Sequence, residues 1–198
     1  MNRYLVIEEY RSKDEVRQGE LDMCFIENGA SRLFEYIVEA VGPDPRVTIK
    51  GIFEGVNAMK WNEGDMVVIA NADMLFEDSL MLADDLKEDE CYALSRWEDG
   101  DKIQRQVNGD SQDCWIFRWP IKNVDKMDID FPLGKMGCDN RLAYEIQKAG
   151  YKVTNPSKSI KTWHLHKSNA RNYSNFDRNE STVVPPPYLI VPVTSLPE

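Results

Sequence analysis

Met66-Val67-Val68-Ile69-Ala70-Asn71-Ala72-Asp73 is the stretch whose reading decides the fold. Five apolar residues suited to a buried strand run straight into an amide and a carboxylate two positions apart. In extended chain, residues i and i+2 point to the same side. Asn71 and Asp73 are therefore expected to face one spot just past the carboxyl end of a central strand. Open α/β sheets bind their ligands there. Two oxygen-bearing side chains at that place suit a hard divalent cation such as Mg²⁺ or Mn²⁺.

The segments on either side predict alternating strands and helices. Arg3 to Glu8 and Leu21 to Ile26 read as short strands, with a turn at Asn28-Gly29. Leu33, Phe34, Ile37, Val38 and Val41 fall on one face of a helix that Gly42-Pro43 would stop. Thr48 is a candidate cap for a second helix burying Ile49, Ile52, Phe53, Val56 and Met59. A turn at Asn62-Glu63-Gly64-Asp65 leads into the strand quoted above. Asp78-Ser79 then opens a short helix carrying Leu80, Ala83 and Leu86. Strands are expected at Cys91 to Ser95 and Cys114 to Phe117, separated by a polar loop from Glu98 to Asp110. A helix with Leu142, Ala143, Ile146 and Ala149 inside follows Gly134 to Gly137 and ends at Gly150. Tyr151-Lys152-Val153 reads as a last short strand. Such alternation implies an α/β fold with a largely parallel sheet flanked by helices.

Composition narrows the functional classes. The chain has 198 residues, 42% of them hydrophobic and 29% charged, which suits one sizeable α/β domain. A formal net charge of -10 disfavours non-specific binding to nucleic acid or anionic membrane. The apolar stretch near the N-terminus is too short for a signal peptide, and no run approaches a membrane span. Cys24, Cys91, Cys114 and Cys138 are widely spaced and each adjoins an apolar segment. Reduced core cysteines and a cytosolic setting are expected. Five prolines among residues 183–198 make that stretch extended, as a surface-packed tail or a linker, after one domain over residues 1–182.

Three further motifs carry chemistry. Ser111-Gln112-Asp113-Cys114-Trp115 sets an amide and a carboxylate just before a buried strand. Gly137-Cys138-Asp139-Asn140-Arg141 places Asp139 in the first turn of an amphipathic helix, where backbone donors fix a carboxylate. Each is also compatible with an ordinary turn or cap. Ile160-Lys161-Thr162-Trp163-His164-Leu165-His166-Lys167-Ser168 holds both histidines of the chain at His-x-His spacing. In extended chain both rings would face one way. Lys158, Lys161, Lys167 and Arg171 make this a basic island in an acidic protein, either a solvated loop or a segment facing a diphosphate.

Taken in order, the segments around Asn71 and Asp73, Ala93-Leu94-Ser95-Arg96-Trp97, Gln112-Asp113, Asp139 and His-x-His-Lys-Ser resemble the glycosyltransferases of the GT-A fold. The group most similar occurs in bacteria and large DNA viruses, among them the chlorella viruses, where it builds capsid glycans. The resemblance spans roughly residues 20 to 175. It implies the GT-A nucleotide-diphospho-sugar transferase fold, with a mixed, mostly parallel sheet, and sugar transfer from a nucleotide sugar, expected to be a UDP-sugar, to a glycan hydroxyl. The Asp-x-Asp metal motif of the family corresponds to Asn71-Ala72-Asp73. Asp73 keeps the ligand role. Asn at the first position makes Asn71 either a weaker ligand or a partner for the donor's ribose or a metal-bound water. A late histidine completes the Mn²⁺ or Mg²⁺ site, at His164 or His166; His166 is favoured because it adjoins Lys167-Ser168. Asp139 corresponds to the base of inverting members, and Gln112 and Asp113 to residues near the donor sugar in retaining ones. Lys161 and Lys167 would assist the diphosphate. Trp97, Trp115 and Trp163 are candidates for sugar stacking or for the core. A non-catalytic glycan-binding module and a nucleotidyltransferase are the alternatives; the latter would usually show a Gly-rich phosphate loop or denser carboxylates.

Overall fold

A computed structural model describes residues 1–42, 46–98, 102–103, 111–166 and 183–197, with backbone alone for 102–103. In chain order the elements are β1 (Arg3–Glu8), α1 (Glu15–Ala30), β2 (Tyr36–Ala40), α2 (Ile49–Asn57), β3 (Met66–Ala70), β4 (Met74–Phe76), a 3-10 helix at Asp78–Asp85, β5 (Glu90–Leu94), β6 (Trp97–Glu98), β7 (Lys102–Ile103), β8 (Cys114–Arg118), α3 (Cys138–Lys148), β9 (Lys152–Thr154) and β10 (Thr162–His164).

The main sheet has the order β2-β1-β3-β8-β5-β9. β3 lies inside it, parallel to β1 and antiparallel to β8. All five of its residues are buried, so the period-2 pattern disappears and both faces read as apolar. Val67 and Ile69 join one core with Ile52 and Phe53 of α2 and Leu142 and Ile146 of α3. Met66, Val68 and Ala70 join the other, with Met74, Leu80, Ala83 and Leu86.

Three expectations change. The sheet is mixed rather than mostly parallel, because β8 runs antiparallel to both β3 and β5. A strand buried on both faces carries the same apolar run in either direction, so composition does not report its polarity. Leu21 to Ile26 is part of α1, not a strand, and the expected turn at Asn28-Gly29 is that helix's last turn. The apolar set expected to make a helix at 33–41 instead contains β2, which among the described residues is an edge strand paired with β1 alone.

The helix at Thr48 forms as expected. The Thr48 side chain accepts from the Gly51 N–H, and Ile49, Ile52, Phe53 and Val56 are buried, although Met59 is 37% exposed. Gly150 follows α3 at φ +106, a left-handed conformation that glycine adopts without strain.

A smaller sheet, β4-β10-β6-β7, stands beside the carboxyl end of β3. β10 pairs antiparallel with β4, setting His164 opposite Met74, and Trp163 opposite Trp97 of β6. The Leu165 N–H donates to the Asp73 carbonyl at 3.0 Å and extends this ladder toward β3. The smaller sheet thus carries the histidine segment to the carboxylate that follows β3.

The stretch 183–197 follows the surface of the domain. Val184 N–H donates to Met136 O at 2.9 Å, Leu189 N–H to Asn140 O at 3.0 Å, and Thr194 N–H to Asn155 O at 2.8 Å. Val184 and Val191 are buried.

Candidate metal and carboxylate site

β3 ends at Ala70, and the chain turns through Asn71-Ala72-Asp73 before β4. Asp73 is only 8% exposed. Its Oδ2 accepts from the Arg17 guanidinium and lies 3.0 Å from His164 Nε2. Its Oδ1 is buried and has no hydrogen-bond partner among the described residues. Burial opposes a charge on Asp73, yet His164 and then Arg17 hold its carboxyl well below the usual carboxylate range. The group is therefore a fixed anion with one oxygen left over.

His166 joins the same cluster. One ligand atom each from Asp73, His164 and His166 fall within 4.8 Å of one another. The two imidazoles meet edge to face, with ring centres 5.1 Å apart. One carboxylate and two imidazoles make a mixed oxygen and nitrogen donor set, which suits a borderline divalent ion better than Ca²⁺. The orphaned Oδ1 is the observation that makes the set fit such an ion: among the described residues a buried carboxylate oxygen is otherwise left without a partner. His164 Nδ1 lies 3.6 Å from Glu98 Oε1, so a second carboxylate backs the ring.

Asn71 is turned elsewhere. Its Nδ2 donates to Asp113 Oδ1 at 2.9 Å, and Asn71 N–H donates to the Asp113 carbonyl at 3.0 Å. Arg96, just past β5, donates from Nη1 to the same Oδ1 at 2.9 Å and from Nε to Glu98 Oε1 at 3.0 Å. Asp113 Oδ2 is buried with no hydrogen-bond partner among the described residues. A continuous polar chain thus runs from His164 through Glu98, Arg96 and Asp113 to Asn71.

Asp139 enters from the first turn of α3. Gly137 caps that helix at φ +79. The Gln112 N–H donates to Asp139 Oδ2 at 3.1 Å, which ties α3 to the segment leading into β8. Burial, and after it the charge of Asp113, pushes the Asp139 carboxyl up to about 6. A carboxyl with that value is poised for proton exchange near neutral pH, unlike Asp73. The site therefore contains one carboxylate held ionised beside imidazoles and one raised toward neutrality beside a second acid.

Other candidates are placed differently. Lys161 Nζ lies 4.5 Å from the centre of the Trp97 ring and 5.6 Å from that of Trp163. Trp97 donates from Nε1 to Ser157 O and Trp163 from Nε1 to Glu77 Oε2. Trp115 is a core residue of β8 at 1% exposure. Gln112 is buried at 2%. Lys167, Ser168 and Arg171 lie outside the described residues, as does most of the loop expected between Glu98 and Asp110.

Arg17, Glu20, Arg96 and Glu98 belong to this constellation, although their spacing in the sequence does not single them out. Arg96 follows a strand at its carboxyl end, a position that could mark it. Arg17 carries no such signal, because α1 lacks the apolar face that would identify it as a helix.

The chain matches no protein-family model and no curated protein. Two solved structures of Drosophila β1,4-galactosyltransferase 7 resemble it. One, a mutant in complex with manganese, UDP-Gal and xylobiose, gives a TM-score of 0.56 at 14% identity, covering 92% of this chain and 79% of that one. The other, the catalytic domain in complex with xylobiose, gives 0.52 at 13% identity, covering 92% and 79%. The likeness is one of fold, and this chain shares the GT-A fold of those galactosyltransferases.

Proposed function

We propose that this chain is a metal-dependent glycosyltransferase that moves a sugar from a UDP-sugar to a glycan hydroxyl. One observation carries the reading. Asp73, His164 and His166 converge at the carboxyl end of β3 with a buried carboxylate oxygen unpartnered. The fold-level likeness to enzymes solved with manganese, UDP-Gal and xylobiose supports the same reading.

Asp73 and one or both histidines would hold Mn²⁺ or Mg²⁺, with Asn71 as their neighbour rather than a ligand. Such an ion, when bound, supplies positive charge where a leaving diphosphate develops negative charge. The protein's own part is to orient and to move a proton. Asp139, raised to about 6, accepts the proton of the acceptor hydroxyl if the reaction inverts. Asp113 and Gln112 bind the donor sugar, and Asp113 becomes the more important acid if the reaction retains. Lys161, whose ammonium lies over the Trp97 and Trp163 rings, and Lys167 would add cationic donors to the diphosphate. The resemblance to enzymes of bacteria and large DNA viruses makes surface or capsid glycans the expected acceptors. Four free, buried cysteines accord with a reducing compartment.

Calorimetry with UDP-sugars tests the reading. Binding should require Mn²⁺ and disappear on chelation, and Asp73→Ala should abolish the metal-dependent part. Equal affinity with and without metal would refute it, as would binding of glycan without any binding of nucleotide sugar.

A further inference from the structure

Arg17 is a buried cation at 8% exposure whose bonds reach both halves of the candidate metal cluster. Its backbone is fixed first. Asp14 caps α1, and its side chain accepts from the Arg17 N–H at 2.8 Å. The guanidinium then divides. Nη2 donates to Asp73 Oδ2. Nη1 donates to Leu165 O at 2.8 Å and to Glu20 Oε2 at 2.9 Å. Leu165 is the residue between His164 and His166, and its own N–H donates to the Asp73 carbonyl at 3.0 Å. One planar fork therefore grips the carboxylate after β3 and the peptide between the two imidazoles after β10.

We propose that Arg17 is a positioning residue for the divalent-ion site, locking the Asp73 carboxylate and the His164-Leu165-His166 peptide in one relative geometry. The inference rests on the metal reading above. Three features support it. A guanidinium offers several donors in a rigid plane, so it can serve two acceptors on separate segments at once. Its attachment to Oδ2 leaves Oδ1, the unpartnered atom, as the oxygen for an ion. Glu20 offsets the charge of Arg17, so the fork does not present an uncompensated cation to the incoming one. Holding ligands in place before the ion arrives lowers the ordering cost of binding.

A rival role makes the opposite forecast. If Arg17 only neutralises a buried Asp73, a divalent ion competes with it, and removing Arg17 should tighten metal binding. Lysine separates the two roles. It keeps the charge, but a single ammonium cannot reproduce the planar two-armed grip on Asp73 and Leu165.

The test measures Mn²⁺ binding to the full chain by calorimetry and by the EPR spectrum of the bound ion, in wild type, Arg17→Gln and Arg17→Lys. Melting of the metal-free proteins checks folding. Both variants should lose fivefold or more in affinity, with altered spectra. Affinity within fivefold of wild type in a folded variant, or tighter binding, would overturn the proposal. Should neither variant fold, Glu20→Gln loosens the fork without removing it and is held to the same threshold. A wild-type protein that binds no Mn²⁺ would overturn the metal reading itself, which is a distinct result.

Discussion

Asn71 donates its side-chain amide to Asp113 Oδ1 at 2.9 Å and so belongs with the carboxylate just before β8 more than with the metal cluster. This gives the amide a reason to be there. A carboxylate at position 71 would face Asp113 at hydrogen-bond distance, and two like charges so close disfavour each other's ionisation. We therefore expect Asn71→Asp, which restores an Asp-x-Asp motif, not to strengthen Mn²⁺ binding, and to lower the melting temperature near neutral pH. Asn71→Ala should leave Mn²⁺ affinity within a few-fold of wild type. Calorimetry and thermal melting of both variants check this. A large gain in affinity for Asn71→Asp would show that position 71 faces the ion.

The two histidines should separate by their surroundings. His164 contacts Asp73 and lies close to Glu98, so His164→Ala should lower both Mn²⁺ affinity and melting temperature. His166→Ala should lower affinity about tenfold or more with a smaller effect on melting, the scale on which losing a single metal-site partner is felt. Mn²⁺ titration of each variant decides it. An unchanged affinity in both would remove histidine from the site.

How much of this is legible in the sequence follows from where the polar residues lie. β3 and the Asp73 that follows it are readable because an unbroken apolar run that stops at an amide and an acid marks the end of a buried strand. Thr48, α2 and α3 are readable from caps and 3.6-residue spacing. α1 is not, because its pattern is inverted. It buries Arg17, Glu20, Leu21, Cys24 and Asn28 while exposing Val16, Met23 and Ile26. A helix that turns charged residues inward to hold a site defeats a search for an apolar face. The same inversion hides Arg17 and Glu20. β2 is obscured for a different reason: as an edge strand with half-exposed residues it lacks clean alternation, and its apolar spacing also fits a helix.

The raised Asp139 carboxyl predicts a pH profile. Its ordinary value is 3.8 and its folded value about 6. If Asp139 is the base, kcat/KM should fall as pH drops below about 6. Asp139→Asn should lose that limb and about 10²-fold in turnover, while keeping Mn²⁺ and donor affinity. The sign for stability is opposite to that of a salt-bridged acid. Between pH 4 and 6 the folded carboxyl holds a proton that the unfolded one has released. Its contribution is present at low pH and is lost as pH rises through about 6. Asn does not titrate, so the variant should gain stability relative to wild type from pH 4 to pH 7 in urea unfolding. A constant difference across that range would remove the perturbed carboxyl. Retention of configuration in the first-formed product, together with an active Asp139→Asn enzyme, would transfer the main role to Asp113.

The stretch 183–197 should matter to the fold and, through it, to Asp139. Arg141, two residues beyond Asp139 and 8% exposed, donates from Nη1 to the carbonyls of Pro185 and Pro186 at 3.1 and 3.2 Å. Fully buried Asn155 accepts at its carbonyl from Thr194 N–H and pairs with Val193. A Cβ at Gly137, the cap of α3, would come within 3.0 Å of the Tyr188 hydroxyl, so the segment packs directly on the turn that presents Asp139. Deleting residues 183–198 would leave Arg141 and Asn155 short of partners, at about 1–3 kcal/mol each. For a domain of this size the two together amount to a fall of about 4–24 °C in melting temperature. The loss should fall more heavily on turnover than on Mn²⁺ affinity, because the segment braces α3, while among the described residues Asp73 and His164 are held by Arg17, Glu98 and each other. Melting curves and Mn²⁺ titrations of the truncated protein decide the point. Unchanged melting would make the segment a linker, and an equal loss of metal binding would mean that it supports the whole site.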